Sequence, residues 1–330
     1  MQIKYKMNLT TTRSTFKETC IFINFRQFNF TTESAVTSTK VFVNHTAFCV
    51  VTAALSVLTI CLNSITAMAY WRSTELKKKM ALFLIMVLSL NDLGIGVFCG
   101  PLYVATFTRD IWLGKSSCFL TGLRVFVHLI IGGCSFKTLI IMNFERYFAI
   151  VHPLFHRTKI TKGRLLKCLI IMWLVAGAVI VAFAFYPFDV FAKILTVEML
   201  LSMAALVYIY ARIYFTSSRS FENFRKTNRS NSSSQGQGTS QSERKQHLHN
   251  IRLVKSCFIV VVCYCICYLP FTIFNASFLK YHKDINLFGP WLTILLNLSN
   301  STFNSLIFFW RNKLLRREAQ IVLKQMICYA

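Results

Sequence analysis

HLIIGGCSFKTLIIMNFERYFAIVHPLFHRTKIT, residues 128–161, sets Glu145 and Arg146 side by side where a long apolar run ends and a basic stretch begins. An arginine withdrawn from water is costly unless it is paired, so an acid beside it is expected wherever such a run is buried. The run before it is long enough to cross a bilayer as a helix. The basic stretch after it fits the cytosolic side of one.

The same alternation recurs along the chain. Of 330 residues, 55% are hydrophobic, and the mean hydropathy is +0.50, more apolar than a water-soluble domain of this size can hide. Stretches of about twenty apolar residues fall near 47–71, 81–107, 118–150, 165–187, 190–215, 253–278 and 287–310. These seven spans predict an all-α membrane protein, a seven-transmembrane helix bundle. No positively led apolar stretch with a small-residue cleavage site precedes the first span, so the first span is expected to act as the targeting signal. The net charge of +25 does not point to nucleic acid, because Lys and Arg gather in alternate loops. WRSTELKKKM, HRTKITKGRLLK, residues 212–255 and the tail RNKLLRREAQIVLK carry most of them. The positive-inside bias then puts the N-terminus outside and these segments in the cytosol, against anionic lipid headgroups. Lys4, Lys6, Arg13, Lys17, Arg26 and Lys40 run against that trend, and the remaining loops outvote them.

Three regions follow: an outer tail over 1–46, a seven-span domain over 47–310, and a membrane-surface amphipathic eighth helix with a cytoplasmic tail over 311–330. The outer tail holds glycosylation sequons at Asn8, Asn29 and Asn44. Residues 217–246 are too polar to bury a core and are expected to form a disordered third cytoplasmic loop. Most of the twelve cysteines lie inside apolar spans as small packing residues, so no metal cluster is expected of them.

The motifs choose among receptor, transporter and channel. ERY, with Pro153 seven residues after Arg146, resembles the inner end of the third helix of rhodopsin-like (class A) G-protein-coupled receptors. LNSITAMAYWR supplies Asn63 in the first span, LSLNDL supplies Asp92 in the second, and Ser135 stands eleven residues before Arg146. Trp173 marks the fourth span, CYLPF with Pro270 the sixth, and NLSNSTFNSLIFFWRNK resembles the seventh and the surface helix after it. Six spans match in order. The missing proline in the fifth span, and the short loop YPFDVF before it, resemble the branch containing melanocortin, cannabinoid and lysophospholipid receptors.

The resemblance implies a plasma-membrane receptor and assigns roles. Glu145, Arg146, Tyr147 and Pro153 would form the coupling surface for a heterotrimeric G protein, with Glu145 neutralising Arg146 at rest; arrestin and receptor kinases are further implied partners. Asn63, Asp92, Ser135, Asn300, Ser301 and Asn304 would meet at a site suited to a sodium ion on Asp92, or to a purely structural hydrogen-bond network. Tyr268, Pro270 and Phe308 would be the activation switch, although Tyr268, Ser305 and Phe308 replace the Trp, Pro and Tyr usual in the family. Asn250 stands where many members carry an acid facing the arginine. The family's outer staple would fall on Cys118, with Cys20 as the outer candidate partner.

For the ligand, Leu298 replaces the lysine that holds retinal, and His128 stands where aminergic receptors carry an aspartate. Tyr103, His128, Glu198, Phe271, Thr272, Asn275, Trp291 and Ile294 remain as pocket candidates for an extracellular peptide, lipid or small molecule. Glu198 would meet a cationic group of a peptide, or pair with His128. Lys137, in the middle of the third span, has no evident partner in the sequence; it would snorkel along a lipid-facing groove or serve as a protonatable transport residue. No enzyme chemistry is visible. The competing readings are a seven-helix transporter or channel, with Asp92, Lys137 and Glu198 on one polar path, and a receptor-like partner subunit that no longer signals.

Overall fold

The computed structural model describes residues 39–113, 117–183, 188–230, 258–273 and 288–329. Among the described residues, six helices are long and apolar enough to cross a membrane, and a shorter apolar helix, Phe258–Ile273, stands in the place of the sixth span. In chain order these are α1 (Thr39–Arg72), α3 (Met80–Gly94) continuing through a π segment into α4 (Gly100–Leu113), α5 (Cys118–Val151), α7 (Lys162–Phe183), α8 (Phe188–Ser230), α9 (Phe258–Ile273) and α10 (Phe288–Arg311). Short helices α2 (Thr74–Lys78) and α6 (Pro153–Lys159) fill the first and second inner loops, and α11 (Lys313–Tyr329) follows the last span.

The burial pattern is that of a bundle in lipid. Asn63, Asp92, Asn143, Asn300 and Asn304 are buried, while Val57, Ile171, Leu174, Val207 and Ile266 are exposed on the outer faces. Hydrocarbon solvates the apolar side chains, and the polar ones must find each other inside.

Local chemistry sets the element ends. Ser73 and Ser117 cap α2 and α5 by accepting from the amides of Leu76 and Leu120, at 3.3 and 3.4 Å. Pro153 opens α6, where its missing N–H costs nothing. Asn312 caps α11 through the Leu315 amide at 3.1 Å. Leu315, Ala319 and Val322 of α11 are buried in the inner core with Leu76 and Phe308, whereas Ile327 on the same helix is exposed.

The second span departs from a regular helix. Ile95–Cys99 forms a π turn between α3 and α4, an irregularity that apolar periodicity does not reveal. Its flanks pack tightly on α1. A Cβ built on Gly100 would lie 1.6 Å from Ser56 Oγ and 2.7 Å from Ser56 Cβ, so only glycine admits this approach.

Two boundaries differ from the sequence expectation, and a third agrees. The first helix begins at Thr39, carrying the backbone of Asn44 within it. The fifth continues to Ser230, into the segment expected to be disordered; SFENFRK holds no proline or glycine to stop it. The seventh begins at Phe288, within a residue of expectation. Cys20, Asn8, Asn29, Asn250 and Asn275 lie outside the described residues, as do the side chains of Asn44, Cys118 and Trp291.

Candidate functional site

At the inner end of α5, Glu145 Oε2 faces Arg146 Nε at 3.1 Å. Neighbours on a helix project about 100° apart, and this contact lacks hydrogen-bond alignment, so it is a Coulombic pair. The better-formed contact is to a residue that sequence reasoning missed: His156 Nε2 lies 2.9 Å from Glu145 Oε1. His156 sits on α6, which Pro153 starts immediately after α5, and that short reversal folds the histidine back against the acid. The available signal was the spacing HPLFH, which places His156 one turn into a helix begun by Pro153. Glu145 is only 2% exposed, and its two oxygens face two partners, Arg146 and His156, rather than one. Tyr147 packs edge-on against His152, with ring centres 5.7 Å apart, completing this inner surface.

Toward the bilayer centre, polar groups connect four spans. Ser135 Oγ on α5 donates to Asp92 Oδ1 at 2.6 Å, and Asn304 Nδ2 on α10 donates to Asp92 Oδ2 at 3.2 Å. Asn63 on α1 does not bond to Asp92. It accepts from Ser305 Oγ at 2.5 Å and donates to the Thr59 carbonyl at 2.9 Å. Thr59 in turn meets Thr302 at 2.6 Å, so α1 and α10 are joined twice by side-chain hydrogen bonds. Ser305, which reads in the sequence only as a lost proline, therefore supplies an interhelical tie. Asn300 Oδ1, Ser301 Oγ and Asn304 Oδ1 are buried without a hydrogen-bond partner among the described residues.

Above this network lies an aromatic cluster. Tyr268 on α9 is buried against Tyr264, with ring centres 4.6 Å apart, and against Phe136 of α5 at 6.1 Å. Pro270 is half-buried on the same helix, and Phe308 is buried in the inner core on α10.

Of the expected pocket residues, Tyr103 and Ile294 share the outer core cluster, and Tyr103 meets the His128 ring edge-on with centres 5.6 Å apart. Arg124, absent from the expected set, places its guanidinium 4.9 Å from the centre of the Tyr103 ring and 5.2 Å from that of Phe107. Thr272 is buried, donating to the Tyr268 carbonyl at 2.9 Å, and Phe271 beside it is half-buried.

Glu198 stands apart from these. It forms an ion pair with Lys137, across α5 and α8, so the carboxylate does not meet His128 and the lysine does have a partner. A lone acid and a lone base within apolar helices lower each other's desolvation cost, which explains a pairing that neither span discloses alone.

The comparisons with known proteins agree with this architecture. The pattern of the 7 transmembrane receptor (rhodopsin family) matches residues 62–308. Muscarinic acetylcholine receptor M5 of Rattus norvegicus is 31% identical over 128 residues, 38% of this chain and 23% of that protein. Muscarinic acetylcholine receptor M1 of Homo sapiens is 30% identical over 128 residues, 38% of this chain and 27% of that protein. The matched segment thus spans about a quarter of the length of these relatives, and it lends no support to the branch suggested by the fifth span. A family match over most of the chain, on a bundle with polar groups inside and apolar groups outside, makes this chain a member of the rhodopsin family of seven-transmembrane receptors.

Proposed function

We propose that the chain is a plasma-membrane receptor, N-terminus outside, which transmits binding of an extracellular ligand to a cytosolic heterotrimeric G protein. The observation that carries this reading is the inner-end cluster of Glu145, Arg146 and His156, held at the cytosolic mouth of the bundle. A buried acid held by both Arg146 and His156 favours one packing of α5 against α6. A partner that engages Arg146 must compete with that arrangement, which is how binding on one side shifts a two-state equilibrium. Arrestin and receptor kinases would read the same face.

The ligand of the muscarinic relatives does not carry over. His128 and Arg124 at the outer end of α5 offer a neutral or positive surface to a ligand, and the resemblance places no acid there for an ammonium group. A peptide, lipid or small molecule that contacts Tyr103, His128 and Ile294 fits the aromatic and apolar lining.

The Asp92 site fits a sodium ion. Ser135, Ser301 and Asn304 surround a fully buried carboxylate, and hard oxygen donors suit a small hard cation. Bound there by Asp92 and Ser135, sodium would supply the charge that no basic side chain provides. Its test is thermal: sodium should raise the melting temperature of the detergent-solubilised receptor over a large organic cation at equal ionic strength, and Asp92→Asn should abolish the difference. Equal melting of the wild type in both salts rejects the ion.

The coupling reading is tested by Arg146→Ala in membranes supplied with purified G protein. Ligand-independent nucleotide exchange is expected to fall to the level of receptor-free membranes, with surface expression retained. Exchange at the wild-type rate would reject the role of Arg146, and no exchange from the wild type with any G-protein class would favour a non-signalling partner subunit.

A further inference from the structure

The cleft between α5, α7 and α8 belongs to neither site above. It has a volume of about 310 Å3, and Ile140, Phe144, Met172, Leu201 and Ala205 wall it around Lys137 and Glu198. It opens outward: Phe144 and Leu201 are 41% and 66% exposed, on the side where the helices face lipid. The ion pair on its floor is unusual there. Along α5, Lys137 is nine residues from Arg146, about 14 Å at the rise of an α-helix, so the pair lies well inside the hydrocarbon.

The pair has hydrogen-bonding capacity left over. An ammonium group carries three donors and a carboxylate about four acceptor sites. Among the described residues, Lys137 and Glu198 make no hydrogen bond except to each other. Water is scarce at this depth, and acyl chains offer neither donor nor acceptor. The charges of the pair cancel, which discriminates among ligands. An anion would gain Lys137 and be repelled by Glu198, and a cation would meet the reverse. A hydroxyl group both accepts from the ammonium and donates to the carboxylate without adding charge. The walls are apolar apart from Ser202, and the volume stands at the low end of the range of about 300–1,000 Å3 typical of ligand sites, which suits a single chain better than a two-chain lipid.

We propose that this cleft is a membrane-facing binding site for a neutral, single-chain amphiphile carrying a hydroxyl group, whose hydroxyl bridges Lys137 and Glu198 while its chain lies along α8. It is entered from the bilayer.

The test uses the full chain in phosphatidylcholine bilayer discs, with 1-monooleoylglycerol bearing a photoreactive group in its acyl chain as the probe. Illumination is expected to label peptides containing residues 137–144 and 198–209. Unlabelled monooleoylglycerol should compete, and oleate and hexadecane should not. Lys137→Met with Glu198→Met should reduce labelling about tenfold, the effect of losing a charge-assisted hydrogen bond. The exchanged pair, Lys137→Glu with Glu198→Lys, keeps a donor and an acceptor and should retain labelling. Ala205→Trp fills the cleft with the pair intact and should abolish it, which keeps the test decisive if the double methionine variant does not fold. Competition by hexadecane equal to that by monooleoylglycerol, or unchanged labelling in the Ala205→Trp receptor, overturns the proposal. So does a cysteine at position 201 that cross-links two chains regardless of added monooleoylglycerol, since a second copy would then cover the cleft.

Discussion

Removing the charge of Glu145 should raise signalling without ligand. Its two carboxylate oxygens serve different neighbours: Oε1 lies 2.9 Å from His156 Nε2, and Oε2 lies 3.1 Å from Arg146 Nε without alignment. A hydrogen bond to a charged group contributes about 1.5–3 kcal/mol. The histidine is 22% exposed, so solvent screening holds its contact to the lower end. The misaligned arginine contact adds less, for a combined preference of about 2 kcal/mol for the resting packing. Glu145→Gln keeps the shape and removes the charge, and should multiply the active fraction by up to about thirtyfold. His156→Ala removes only the better-aligned contact and should give up to about tenfold. The readout is uptake of a non-hydrolysable GTP analogue by purified G protein, in membranes matched for receptor number and free of ligand. Two results would refute the reasoning: Glu145→Gln within twofold of wild type, or His156→Ala without effect while Glu145→Gln activates. The second would put the whole restraint on the Arg146 contact, against the geometry.

Other substitutions probe the frame that holds the site. Gly100→Val should destabilise the receptor by about 1–3 kcal/mol, the usual cost of overpacking, because its Cβ would meet Ser56 Cβ at 2.7 Å; thermal unfolding in detergent measures it. Gly133→Ala, with nothing within 4 Å of the added carbon, should leave the melting temperature unchanged or raise it, and a fall would refute the comparison. Ser305→Ala strips Asn63 of its partner from α10 and should cost about 1–3 kcal/mol, the penalty of a buried polar group left unmade; unchanged thermal stability would mean that the Asn63–Ser305 bond contributes nothing net.

How much of this was legible in the sequence depends on whether a residue's partner is fixed by spacing along one helix or by the packing of two. The spans followed from apolar length, since lipid enforces it, and the helix after the last of them from the resemblance of its motif to the family's. The meeting of Asp92 with Ser135 and Asn304 was accessible because the motifs carrying them recur at set depths in a known bundle. Asn63 was assigned to the same group, yet it bonds to Ser305, a residue visible only as a departure from the family pattern. The π turn at 95–99 could not be read, because one extra residue in a turn leaves an all-apolar stretch looking the same. Lys137 and Glu198 stand in different spans, and neither span's sequence names the other, although one physical rule connects them. In a chain whose membrane-embedded charges are so few, an acid and a base left over in different spans each carry a desolvation cost that pairing reduces, so each is the other's most favourable partner. That pairing, once made, brings α5 and α8 together at a polar point facing lipid, and it is the reason the cleft beside them has a chemistry at all.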